Sequence, residues 1–319
     1  MPNKIQGQVG FPAQAPADAI YNVGPGCLFA TIQAAIDQAV ADGYTTAANP
    51  ALVQVAPGAY AENVAFKPGV NVVGLASAGQ ACVITGNCTY SHSAGGTRND
   101  NTISVNNLVF RSSAGITMLV AGTSPLQITF TGCSLEKNSG GDTDFIYSIT
   151  NTGGGSRVRF NQGCVLTHNV AASVAMNLAR GTTEFRQRNT AVLNNSGGTM
   201  TAAAVLTNSA ALRVWGCDLW CSGAYTNNID IQGAGAVVDL LHTWLQNSLA
   251  GGNAILFTAA GTARLKWTLV GVNADLSGYI AKGAAGTFIY SACIFLLPND
   301  QVQNTLTIQT ENTAVTPVA

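Results

Sequence analysis

Charge is what this chain lacks most. Only 9% of its 319 residues are Asp, Glu, Lys or Arg, against roughly 25% in ordinary soluble domains, so Asn, Thr, Ser and Gln must dress the surface. The 14 basic and 15 acidic residues nearly cancel, for a net charge of −1. That leaves no electrostatic footprint for nucleic acid and no polybasic patch for a membrane. No apolar run reaches the roughly 18 residues of a membrane-spanning helix. The opening MPNKIQGQVGFP has neither the apolar stretch nor the cleavage site of a signal peptide, so synthesis and retention in a cytosol are expected. The three histidines, His92, His168 and His242, lie far apart in sequence. A zinc site needs four clustered sulfur or nitrogen ligands, and no metal or cofactor is expected. Eight cysteines could form disulfides, but a reducing site of synthesis argues against them. Cys82 and Cys88 are the pair that a turn could bring together, whereas Cys217 and Cys221 are too irregularly spaced for a metal-binding pair.

What the chain does have is a repeat. An apolar pair, a small or sulfur-bearing residue and another apolar residue recur, as in Phe130, Cys133 and Leu135, then Val214, Cys217 and Leu219, then Leu240, Thr243 and Leu245. With Leu108 as the first anchor, equivalents fall at Cys133, Cys164, Thr190, Cys217, Thr243, Val270 and Cys293, in steps of 25, 31, 26, 27, 26, 27 and 23. Between anchors stand Gly, Asn and Ser clusters: NSGGDTD from Asn138, NTGGGS from Asn151, NNSGGT from Asn194 and GAGA from Gly233. Glycine adopts positive φ without steric cost and asparagine tolerates it, so these clusters cut each repeat into two or three short strands. Short strands in repeats of about 26 residues predict a solenoid, a parallel β-helix in which each repeat is one coil. Strands then pair with their equivalents one coil away, and inward positions stack into ladders of like residues. The aligned cysteines, with Thr190 and Thr243 in the same column, read as small buried fillers.

The N-terminal part differs. FATIQAAIDQAVADG places Phe29, Ile32, Ala35, Ile36 and Ala39 or Val40 at helical spacing with Gly43 as a stop, predicting one helix near residues 29–42. Its expected role is to cover the open end of the solenoid. Residues 1–25 read as an extended arm, residues 26–297 as the β-helix and residues 298–319 as a tail.

Phe29 to Ile36 follow the pattern F-x-T-I-Q-x-A-I, and Pro57 to Glu62 the pattern P-G-x-Y-x-E. These pieces resemble the first helix and first coil of the pectin-esterase and pectate-lyase group of right-handed β-helices. The likeness spans about 50 of the 319 residues. It implies a right-handed, all-β parallel β-helix with an N-terminal helical cap, an architecture shared by enzymes and by non-catalytic viral proteins. In that group the turn holding Tyr60 and Glu62 is structural. DFIY at Asp144 to Tyr147 resembles the esterase D-F-I-F motif, whose Asp is the nucleophile. The glutamines that stabilise the oxyanion and the arginine that holds the carboxylate have no counterparts here. Asp144 therefore reads as part of a turn.

Other chemistry finds few candidates. A glycosidase needs two carboxylates about 5–10 Å apart, and the pairs available are Glu136 with Asp142 or Asp144, and Asp218 with Asp239. No coil shows the acidic calcium cluster and facing base of a lyase. No catalytic residue is assigned. Trp215, Trp220, Trp244 and Trp267 occupy consecutive coils without forming one stripe, and alternation turns Trp215 and Trp244 outward. Arg186 and Arg188, with Arg180 and Glu184, form the densest charge. Trp215, Trp244, Arg186 and Arg188 are the candidate contacts to a glycan or a partner protein. A β-helix with so little catalytic inventory is expected to be a non-enzymatic structural virion protein of a bacteriophage. The role expected is capsid decoration or cement, as a homotrimer against other virion proteins such as the major capsid protein. Alternatives are a tail spike or fibre, a carbohydrate-active β-helix enzyme, or a glycan-binding module.

Overall fold

In the computed structural model, the described residues run from 19 to 310, apart from 77–79, 113, 139–144, 172, 188–190, 195–196, 218–220, 273–278, 284 and 297–305. Three parallel sheets of twelve, ten and nine strands run along the molecule, and each complete coil gives one strand to each. Thr102 pairs with Gln127, Gln127 with Arg157, Arg157 with Thr182, Thr182 with Ala211 and Ala211 with Val237. The coil is thus 25 to 30 residues long in this part. The chain is an all-β parallel solenoid, with one α-helix among the described residues, Ile32–Ala41.

Strict alternation builds the core. In the twelve-stranded sheet Val105, Phe130, Phe160, Phe185, Val214, Leu240 and Leu265 are in register and buried. Phe130, Phe160 and Phe185 stack at 5.2 and 4.8 Å between ring centroids, since parallel register repeats like side chains at about the 4.8 Å strand spacing.

The corner that leaves this sheet explains the cysteine and threonine column. In coil after coil one residue there takes positive φ: Asn107, Gly132, Gly163, Gly216, His242, Trp267 and Ala292. The next residue, Leu108, Cys133, Cys164, Cys217, Thr243, Thr268 or Cys293, turns inward and is buried. Its side chain is more than filler. Cys133 Sγ lies 3.4 Å from the Val105 carbonyl of the coil before, and Thr268 Oγ1 donates to Leu240 O at 3.2 Å and Lys266 O at 3.1 Å. A small group with one donor satisfies carbonyls where the ladder bends, which is why Cys and Thr interchange. The anchor expected at Val270 belongs to Thr268: Leu269 pairs with both Trp244 and Ile294, so Thr268 aligns with Thr243 and Cys293. Thr190 lies outside the described residues. Cys82 and Cys88 begin neighbouring strands in different sheets, and both are buried free thiols.

The sequence motifs of the first coil form a clasp. Thr31 caps the helix by accepting from Ala34 N. The Glu62 carboxylate accepts from Ile32 N and Gln33 N at 2.8 and 2.9 Å, neutralising donors that a helix start leaves unpaired. Gln33 Oε1 accepts from Ala65 N, and Tyr60 donates to Ala56 O at 2.7 Å. Ile32, Ala35, Ile36 and Ala39 are buried in the same core as the strands. Two short strands fall inside segments expected to be arm and tail: Ile20–Val23 pairs with Ala51–Val55, and Thr307–Thr310 with Thr287–Ser291.

Candidate functional site

The outward face of the twelve-stranded sheet carries a column of alternating charge. Arg159, Glu184, Arg213, Asp239 and Arg264 occupy one register position on five successive strands. Strands set them about 4.8 Å apart, close enough for each carboxylate to reach guanidinium groups on the strands before and after. Arg159 Nε is 2.9 Å and Arg186 Nη2 3.0 Å from Glu184 Oε2, and Arg157 Nε is 3.4 Å and Arg213 Nη1 3.9 Å from Oε1. Asp239 lies 3.5 Å from Arg213 and 3.1 Å from Arg264. The Glu184 side chain is only 1% exposed. A carboxylate so buried needs several charged partners to offset its lost hydration. Burial draws the Arg157 guanidinium below its usual range, with Glu184 opposing.

One column over, Arg186, Trp215, Leu241 and Lys266 are in register. The Arg186 guanidinium sits 4.6 Å from the centre of the Trp215 ring, a cation–π contact. At the corner itself His242 and Trp267 stack nearly parallel, 6.0 Å between centroids and 6° between planes. Trp267 is 55% exposed.

Two of the expected contact residues, Arg186 and Trp215, therefore meet directly. Trp244 stands on the ten-stranded sheet, half-buried, its indole N–H buried without a hydrogen-bond partner. It shares no face with Trp215. The strand Thr182–Arg186 ends at Arg186, where Gln187 turns to φ 70°. Arg188, Asp142, Asp144, Asp218 and Trp220 lie outside the described residues. Glu136 is tied to Arg111 at 2.7 Å. Among the described residues no three His, Cys, Asp or Glu side chains converge as metal ligands would.

Sequence reading missed Arg157, Arg159, Arg213, Arg264 and Lys266, and it weighed His242 and Trp267 without assigning them to a site. The signal was present in RVRF, TEFR, LRVW, VDLL and ARLK, one per coil, but it shows only once the strands are in register. Placing the anchor at Val270 also moved Trp267 out of line with His242.

A second polar feature lies inside. Ser112, Lys137 and His168 are in register on the ten-stranded sheet, and all three are buried. Lys137 Nζ donates to Gly115 O at 2.6 Å and to Ser112 Oγ at 3.3 Å. His168 Nδ1 accepts from Val170 N at 3.2 Å. A fully buried lysine is rare in proteins.

No protein-family profile and no curated protein matches this chain. Among solved structures, the pectin methylesterase of Aspergillus niger is similar at 14% identity over 96% of this chain and 84% of that one, TM-score 0.40. Pectin methylesterase PemA of Erwinia chrysanthemi gives 10% over 90% and 80%, TM-score 0.38. The A-module of the Azotobacter vinelandii mannuronan C-5 epimerase AlgE4 gives 14% over 90% and 95%, TM-score 0.37. The solenoid assignment stands on the strand pairing of the chain itself.

Proposed function

We propose that this chain is a non-enzymatic structural β-solenoid, a virion component of a bacteriophage of the capsid decoration or cement kind, assembled as a trimer against other virion proteins. The observation that carries the reading is the state of the acids on the outward face. Glu184 and Asp239 are both held by arginines, and Glu136 by Arg111. A carboxylate so engaged braces strands and is poorly placed to act as general acid or base. Long ladders of parallel pairing, with a core continuous from Ala19 to Leu306, suit a protein that must persist outside the cell. In this reading the solenoid winds right-handed and the helix Ile32–Ala41 is its N-terminal cap. Light scattering on the purified protein, followed by co-sedimentation with particles, tests it. A stable trimer that sediments with virions is expected, and a monomer that ignores particles would sink the proposal.

A polysaccharide-active enzyme is the second reading. It is favoured by buried Lys137 and His168 on adjacent strands, between which the sequence carries Asp142 and Asp144. Asp144→Asn abolishing polysaccharide cleavage would establish it; wild-type protein without any cleaving activity would remove it.

A further inference from the structure

The corner column that runs Gly216, His242, Trp267, Ala292 has two large rings where backbone geometry favours glycine or asparagine. His242 and Trp267 hold φ of 49° and 52°. Asn107, Gln187 and Ala292 hold positive φ at the same corner, so these two positions differ from the rest of the column in carrying large rings. Both rings are exposed at the edge between two sheets, and neither fills the core. Register places His242 next to Gly216 on one side and Trp267 next to Ala292 on the other. The stack therefore ends in small residues at both ends. Among the described residues, a Cβ built on Gly216 meets nothing within 4 Å, so none of them fills the space beside His242.

We propose that this two-ring step is a binding site for pyranoside rings of a glycan lying along the edge of the solenoid, with Lys266 beside it to receive an anionic substituent. A pyranoside ring presents C–H groups on its faces and hydroxyls at its rim, so it matches a surface that is apolar in the middle and polar at the edge. Trp267 supplies an apolar face with an N–H at its edge. Lys266 is the residue before Trp267, in register with Trp215, and Arg186 stands over that ring. The site does not depend on attachment to any particle.

The fold supplies its own control substitutions. Trp267→Ala installs the residue found at Ala292, and His242→Gly the residue found at Gly216, so both corners have a precedent in this chain. Isothermal titration of the full chain would use three hexasaccharides: a neutral β-glucan, a uronate and a sulfated glucan. Near-UV circular dichroism would check that each variant is folded. Binding of at least one hexasaccharide is expected, weakened about tenfold or more by either substitution, which is about 1.4 kcal/mol, and unchanged by Trp244→Phe. Stronger binding of the uronate and sulfated forms alike would assign Lys266 to charge, and Lys266→Gln should then level the three. The proposal fails if no hexasaccharide binds. It fails equally if binding survives Trp267→Ala but is lost in Arg213→Gln, which would move the site to the charge column.

Discussion

Glu184→Gln isolates the charge column, because glutamine keeps the shape and removes only the charge. Four guanidinium groups then surround position 184 with no carboxylate between them. Removing one partner of a fully buried pair costs about 3–5 kcal/mol. Here the arginines retain 22 to 36% side-chain exposure, so water recovers part of that, and roughly 2–3 kcal/mol remains. Each coil of a solenoid touches only its neighbours, so the loss should be local. Urea denaturation would give the total, and amide hydrogen exchange should show Thr182–Arg186 and Ala211–Trp215 opening more readily while Ala51–Val55 is unchanged. Glu136→Gln is the control, since its partner Arg111 is 43% exposed and such pairs are worth less than about 1 kcal/mol. High salt should erase the Glu136 effect and spare most of the Glu184 effect. Equal losses in the two variants, or exchange changes spread evenly over all coils, would refute the reasoning.

Thr268→Val keeps the volume but removes the hydroxyl that donates to the Leu240 and Lys266 carbonyls, the second of which still accepts from His242 N, and should cost about 0.5–1.5 kcal/mol in denaturant titration; Thr268→Cys, the residue at equivalent corners, should cost clearly less. At the positive-φ corner Ala292→Gly should stabilise by up to about 1 kcal/mol, while Gly132→Ala should destabilise, since its Cβ would lie 2.5 Å from Asn107 Oδ1. Glu62→Ala removes the acceptor of two helix-start N–H groups, and far-UV circular dichroism together with melting should report a loss of about 1–2 kcal/mol. Burial pushes the Cys164 thiol up to about 11 and Cys88 and Cys221 to about 12, from an ordinary 9.0. The unfolded chain therefore ionises first, so their contribution is whole below pH 9 and drains away as pH rises toward 12. Denaturant midpoints measured from neutral to alkaline pH should fall in that window, and thiol reagents at neutral pH should label exposed Cys27 alone among the described cysteines.

The repeat, the parallel solenoid and the helix were legible in the sequence because each depends on local periodicity. Alternation at Gln127–Thr131 fixes which side chains turn in, and Ile32, Ala35, Ile36 and Ala39 mark one face of a helix, whatever the rest of the chain does. The column of Cys and Thr announced a buried ladder for the same reason. Its hydrogen bonding to the previous coil was hidden, because the acceptor sits 28 residues away at a bend. Register decided the remainder. Two residues of error at Val270 hid the stacking of His242 on Trp267, and coils of unequal length hid the column from Arg159 to Arg264. Trp215 and Trp244 look alike along the chain, both outward and half-buried, yet the turn between them puts them on different sheets. Sequence by itself determined which residues face the core, since that follows from a period of two along each strand. Tertiary structure alone decided which residues meet across coils, since contacts about 4.8 Å apart in space are set by the summed length of every turn between them.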